Sequence, residues 1–296
     1  MINSLKKFAL LCLMLCSSIT FAQQQGKVIE EQTVKSDILK RSVKFTIYLP
    51  ADYETANRTY PVVYLLHGYT DDNTGWLQFG EINRYADKAI ADGTIPPMVI
   101  VMPNADSSFY INSFDGKEKY EDFFIKEFMP HIEKAYRIKT EKKYRGVAGL
   151  SMGGYGALIY AIKYPQLFAA AAPLSAGVFP DDQMINMADK NWETTFGPLF
   201  GHDLKGKDRL NKAWHDNSVL DLVQSRTAEQ LSQVRYWIDC GDDDFLTKGN
   251  CLLHIALAEK KVPHEFRTRD GAHNWTYWRT GITDALAFIG DSFRQK

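Results

Sequence analysis

Apolar and polar positions along the chain follow two alternating rhythms. Val43 to Leu49 alternates apolar and polar side chains as a half-buried strand does. Pro61 to Leu66, Met98 to Met102, Val147 to Leu150, Ala169 to Leu174 and Val234 to Ile238 are short, nearly continuous apolar runs, as in strands covered on both faces, and His264 to Thr268 is strand-like too. Between them, apolar residues recur at helical spacing over Ile82 to Ala91, Tyr120 to Tyr136, Tyr155 to Lys163, Cys251 to Lys260 and Thr280 to Phe293. Strand and helix in alternation predict the α/β class, with a mostly parallel central sheet and helices on both faces. In such sheets the reactive groups collect on loops at the carboxyl ends of the strands, which is where chemistry is to be sought.

The start of the chain departs from this rhythm. Lys6 and Lys7 precede the apolar run Phe8 to Leu15, and the small residue Ala22 stands before Gln23-Gln24-Gln25, which is the pattern of a secretory signal cut after Ala22. A membrane anchor would need roughly 20 apolar residues, more than are present, so no stable membrane insertion is expected. Lipidation at Cys16 is disfavoured by Leu15, since a small residue is expected there. The expectation is a secreted or periplasmic protein whose mature residues, 23–296, form one domain, because no repeat, low-complexity tract or linker divides them.

Charge narrows the partners. The 35 Lys and Arg against 36 Asp and Glu provide no basic excess with which to neutralise a phosphate backbone, so nucleic acid is a poor partner. Removing residues 1–22 takes the net charge from -1 to -3 and deletes Cys12 and Cys16. Cys240 and Cys251 remain, and two buried thiols are preferred to a disulfide across a short loop, since a chain of this size does not need a staple. No metal is implied, because neither spacing nor neighbours form a ligand set.

The chemistry centres on Gly149-Leu150-Ser151-Met152-Gly153, a G-x-S-x-G turn between a strand and a helix. A turn tight enough to lift Ser151 clear of the sheet brings backbone so close that only glycine fits at 149 and 153. The serine then stands at a helix N-terminus, where N–H groups face developing negative charge. A serine hydroxyl needs a base oriented by a third group, and the expected chain order is serine, acid, histidine. His273 is the expected base, since it follows the last strand. His67 precedes the serine, His131 and His254 lie inside helical patterns, His202 and His215 lie in an irregular stretch, and His264 begins a strand. The acid is sought among the adjacent Asp242, Asp243 and Asp244, of which the others can be turn residues; Asp239, on the strand itself, is less suited. An oxyanion would meet the Met152 N–H and that of Tyr69, where Gly68 lets the backbone turn inward.

Four motifs, Leu66-His67-Gly68 with Trp76 downstream, Gly149 to Gly154, Cys240 to Leu246 and Gly271 to Trp278, together resemble the esterase D-like esterase family of α/β-hydrolases. That family includes feruloyl and acetyl-xylan esterases of carbohydrate esterase family 1, S-formylglutathione hydrolases, tributyrin esterases and enterochelin esterases. The resemblance runs from about Val43 to the C-terminus. It implies the α/β-hydrolase fold, Ser151 as nucleophile, His273 as base, Asp244 as acid with Asp243 as fallback, and the amides of Met152 and Tyr69 as oxyanion donors. Family members differ most over a segment that here is about 175–233 and holds Phe179, Trp192, Phe196, Phe200 and Trp214, which either line a pocket or form core. Trp76, Trp192, Trp214 and Trp275 are the substrate-binding candidates, with Phe109-Tyr110-Ile111 beside them.

The expected function is a secreted serine carboxylic-ester hydrolase acting without cofactor on feruloyl or acetyl esters of plant polysaccharide. A generic short-chain carboxylesterase, a siderophore esterase and an S-formylglutathione hydrolase-like thioesterase stay open. Acyl transfer to a sugar, or a binding protein with a dead site, lies further off, and the oligomeric state is undetermined.

Overall fold

The computed structural model describes residues 25–294, so the expected signal segment and its cleavage site lie outside the described residues. Eight strands form one sheet: β1 (Lys27–Lys35), β2 (Ser42–Leu49), β3 (Val62–Leu66), β4 (Val99–Pro103), β5 (Arg145–Leu150), β6 (Ala170–Leu174), β7 (Arg235–Gly241) and β8 (His264–Arg269), in spatial order β1-β2-β4-β3-β5-β6-β7-β8. The β1–β2 and β2–β4 pairs are antiparallel and the remaining five are parallel. This is the mostly parallel sheet that the alternation predicts.

Register sets the carboxyl ends level. Leu66 lies opposite Gly149, Leu150 opposite Leu174, and Leu174 opposite Asp239. The residues that follow, His67, Ser151 and Ser175, therefore leave the sheet along one edge.

Alternation sorts the core. Val62, Tyr64 and Leu66 of β3 pack into one buried cluster while Val63 and Leu65 pack into the other, as the two-residue period of a strand requires. Each such side chain contributes about 2 kcal/mol on burial. Helices α1 (Ile82–Ala91) and α4 (Trp275–Arg294) cover one face; α2 (Met152–Lys163), α3 (Thr247–Glu259) and the helical stretch 120–135 cover the other.

Three features differ from the sequence expectation. β1 was not foreseen: it places charged residues on both faces, buries only Val34, and its register slips between Ile29 and Gln32, which breaks the alternation. Helices α2, α3 and α4 begin three to five residues earlier than the apolar periodicity suggests: the first turns of α2 and α3 are largely small or polar, and that of α4 is a run of aromatic residues, Trp275, Tyr277 and Trp278, that does not mark a helical period. In α4 the Asn274 side chain accepts the Tyr277 N–H at 3.1 Å, so Trp275 belongs to a capped first turn.

The third concerns the variable segment. It folds as short helical turns whose aromatic residues join the buried cluster on the α2 face of the sheet, and Trp192 and Trp214 are both buried there. The Trp192 indole donates to the Gly201 carbonyl at 2.9 Å, and the Trp214 indole donates to Asp181 at 2.9 Å while packing edge-on to Phe200. A buried indole whose N–H is already satisfied presents nothing to a ligand, so the structure corrects both from substrate contacts to core. Arg209 ties this segment together: 1% exposed, it stacks over Trp192 and donates to the carbonyls of Leu204, Met184 and Met187 and to Asp189.

Arg209→Ala leaves three carbonyls short of a donor and should cost about 3 kcal/mol of stability, read as the urea unfolding midpoint. Arg209→Lys should recover little, since one ammonium cannot span the same set of acceptors. An unchanged midpoint in either variant would show that the segment stands without this residue.

Candidate active site

The turn after β5 holds Ser151 at φ 54°, ψ -115°, a region that non-glycine residues occupy only under constraint. The constraint is close packing. A Cβ on Gly153 would lie 2.3 Å from the Leu66 carbonyl oxygen, and one on Gly149 would lie 2.6 Å from the Gly153 backbone. Ser151 is further held by its N–H to the Leu174 carbonyl and by its own carbonyl, which accepts the Gly177 N–H, both at 2.9 Å. It occupies the N-cap of α2, and Met152 opens the helix with an N–H for which helix geometry provides no acceptor.

His273 and Asp244 meet this serine from two later loops. The His273 Nε2 lies 2.9 Å from Ser151 Oγ, and its Nδ1 lies 2.8 Å from Asp244 Oδ2. The Asp244 side chain is buried, and its other oxygen accepts the Leu246 N–H at 2.9 Å. Burial alone would push this carboxyl up, but bonds from His273, from the Leu246 amide and from the Ser175 hydroxyl outweigh it and hold the group below the usual carboxylate range. Such an arrangement can draw a proton from the serine while an anion steadies the resulting imidazolium.

The neighbouring aspartates do other work. Asp242 is exposed and accepts the N–H groups of Asp243 and Gly271, and the Asp243 amide donates to the Gly271 carbonyl, so this pair stitches the acid loop to the histidine loop. With Asp270 they place three exposed carboxylates within 4.8 Å of one another. Asp239 is fully buried against Arg269 and Tyr277. Cys240 and Cys251 are free thiols; burial pushes Cys240 up to about 12, so it is inert as a nucleophile.

Two supporting arrangements could not be read from the sequence, although Trp278 and His67 lie within its motifs. Ser175, buried at φ 44°, receives the Trp278 indole N–H at 3.0 Å, and the same indole packs edge-on to the His273 ring at 4.8 Å. Trp278 thus braces base and acid together. His67, in the sequence a rival base and part of the Leu66-His67-Gly68 motif, is buried; its Nε2 accepts the Ala105 N–H at 2.8 Å, which leaves the proton on Nδ1 to be donated to the Gly68 carbonyl at 2.8 Å. That carbonyl shares a planar trans peptide with the Tyr69 N–H, so the imidazole aims the amide the opposite way. Gly68 approaches closely enough that a Cβ there would lie 3.8 Å from the Ser151 Cβ.

Of the remaining tryptophans, Trp76 is buried with its indole donating to the Leu66 carbonyl at 2.9 Å, which corrects it from ligand contact to scaffold. Trp275 is half-buried and packs against Trp76, Trp278 and the exposed Phe79, so it alone of the four retains surface near the histidine. The exposed Phe245 ring rests 4.6 Å from the His273 ring.

Burial lowers His67 from 6.5 to about 4. Above pH 6.5 it is neutral folded or unfolded. As pH falls below that, the unfolded chain takes a proton that the folded chain refuses, and about 3 kcal/mol of stability should be lost by pH 4. Urea unfolding of wild type and His67→Asn at pH 7 and pH 4.5 isolates this contribution: the stability gap between them should narrow in acid, and a constant gap would contradict it.

The Esterase family model, described as "Putative esterase", matches residues 36–289, more than half of the chain. Esterase Rv1288 of Mycobacterium tuberculosis is 30% identical over 244 residues, which is 77% of this chain and 51% of that protein, so the chain spans about half the length of this relative. The acetyl esterase of Caldicellulosiruptor saccharolyticus is 25% identical over 269 residues, covering 86% of this chain and 95% of its own. A solved ferulic acid esterase superposes with a TM-score of 0.77 at 33% identity, covering 91% of this chain and 99% of that one. With this sheet order and this serine turn, the matches establish that the chain belongs to the esterase family the motifs resemble and has the α/β-hydrolase fold.

Proposed function

We propose that this chain is an exported serine esterase that removes feruloyl or acetyl groups from plant polysaccharide through Ser151, His273 and Asp244. One observation carries the reading: the unbroken line of hydrogen bonds from Ser151 Oγ through His273 to the buried Asp244 carboxylate. Ser151 Oγ attacks the ester carbonyl carbon while its proton passes to His273 Nε2, and Asp244 steadies the imidazolium. The carbonyl oxygen becomes an oxyanion that accepts the N–H groups of Met152 and Tyr69, each such donor being worth about 3 kcal/mol in the transition state. His273 then protonates the departing alkoxide as the C–O bond breaks. A water molecule attacks the acyl-serine, its proton goes to His273, and Ser151 leaves with that proton as the acid is released. The substrate class draws on the names of the acetyl esterase and the ferulic acid esterase, and on the leader-like first 22 residues, since an exported enzyme meets polymers.

Hydrolysis of p-nitrophenyl acetate should fall by about a thousandfold or more in Ser151→Ala, and by a similar order in Asp244→Asn, where the imidazole loses its anionic partner. Equal turnover in wild type and Ser151→Ala would end the serine mechanism, and a near-wild-type Asp244→Asn would take that residue off the proton path. Methyl ferulate and acetylated xylan should outrun tributyrin and S-formylglutathione in kcat/KM; the reverse order would move the substrate to a short-chain ester or a thioester. Export is checked by the N-terminus of the protein recovered outside the cytoplasm, expected at Gln23.

A further inference from the structure

A concavity of about 350 Å³ opens between the loop that follows β4 and the helical turns near residues 194–199. Its chemistry differs from that of the serine site. Arg41 spans two carboxylates with one nitrogen, Asp106 at 3.1 Å and Glu118 at 2.7 Å, and Asp106 is held again by the Asn104 amide at 3.0 Å. These three charges sum to one negative, which disfavours a phosphate or carboxylate ligand and favours one that donates hydrogen bonds without charge. Ser107 and Thr195 also line this space, as do the apolar Ile111 and Leu199.

At its side stands Phe114, 58% exposed, whose N–H donates to the carbonyl of the lining Pro198 at 2.9 Å. Its ring lies against Gly201, where a Cβ would sit 3.5 Å from Phe114 Cζ. Fixed carboxylates and hydroxyls beside an exposed aromatic ring are complementary to a sugar, whose hydroxyls donate and whose C–H face packs on the ring.

The loop that builds this wall is strained. Asp106, Phe109 and Tyr110 have φ of 47°, 52° and 61°, conformations costing on the order of 1–2 kcal/mol each for non-glycine residues. That geometry gives the loop two faces. Phe109 packs against Tyr69 and Tyr155, while Asp106, Ser107 and Ile111 line the concavity. The concavity and the proposed oxyanion loop therefore share one wall.

We propose that this concavity is a subsite for a neutral sugar residue of the polymer whose ester Ser151 cleaves, an inference that rests on the polysaccharide-ester reading above. The test uses the Ser151→Ala chain titrated calorimetrically with the linear hexasaccharides of xylose, arabinose, glucose and mannose, and with hexagalacturonate as the charged counterpart. At least one neutral hexasaccharide should bind with Kd near or below about 1 mM, more tightly than hexagalacturonate. Glu118→Ala and Phe114→Ala in the same background should each weaken that binding by about tenfold or more. Glu118→Gln and Phe114→Leu serve in the same way if an alanine variant does not fold, as judged by circular dichroism. No binding of any neutral hexasaccharide, tighter binding of hexagalacturonate, or parental affinity in either variant would overturn the subsite. Hydrolysis of p-nitrophenyl acetate by the unaltered chain involves no sugar, so its absence would end the esterase mechanism separately, while failed titration beside active hydrolysis would end only the subsite.

Discussion

The backbone contact between the start of α2 and the end of β3 leaves no room for a side chain at Gly149 or Gly153, and the site is built outward from that contact. Because the helix start is pressed onto the Leu66 and His67 carbonyls, the residue between strand and helix is forced to positive φ, and that residue is Ser151. The same junction sets the Met152 amide at a helix N-terminus and brings the Gly68 loop beside the serine. Relaxing it with one methyl group would displace nucleophile and proposed oxyanion donors together.

A buried carboxylate is the second demand that the fold meets. Asp244 loses its hydration and is compensated by hydrogen bonds from three directions, one of them through Ser175, which is held in turn by the Trp278 indole. Helix α4 therefore does two things: its apolar stripe covers one face of the sheet, and its first turns brace the imidazole and the acid. Asp239, on β7 and bonded to Arg269 and Tyr277, shows the opposite balance: there burial outweighs the bonds and holds the carboxyl above the usual carboxylate range.

The variable segment solves a different problem. Lacking strands, it extends the core on the α2 face of the sheet, and it spends Trp192, Phe196, Phe200 and Trp214 on that core, with Arg209 satisfying carbonyls that short helical turns leave open. What it offers the carboxyl edge is its outer surface near Thr195 and Leu199, opposite the strained loop after β4. Chemical variety on this fold can thus change at the rim without disturbing the serine turn.

Much of this was legible in the residues alone. Ser151 and its glycines could be read because the steric demand of the turn is local, and seven of the strands could be read, five because burial on both faces leaves an apolar run, β2 by its alternation and β8 by its strand-like residues. β1 could not, since an edge strand with a register slip buries too little to mark its sequence. The three adjacent aspartates are chemically alike, and in the sequence only the motif resemblance favoured Asp244; backbone geometry is what turns Asp244 inward and leaves Asp242 and Asp243 to the turn. Likewise the aromatic residues of 175–233 announced bulk but not direction, and neither the place of Ser175, nor the bracing role of Trp278 within its motif, nor the tautomer of His67 could be read. Local sterics and periodicity are properties of neighbours in the chain, so the sequence by itself determined the strands, the tight turn and the class of chemistry. Contacts across 122 residues, as between Ser151 and His273, depend on strand register and helix packing, and those were decided only when the whole sheet closed on its two cores.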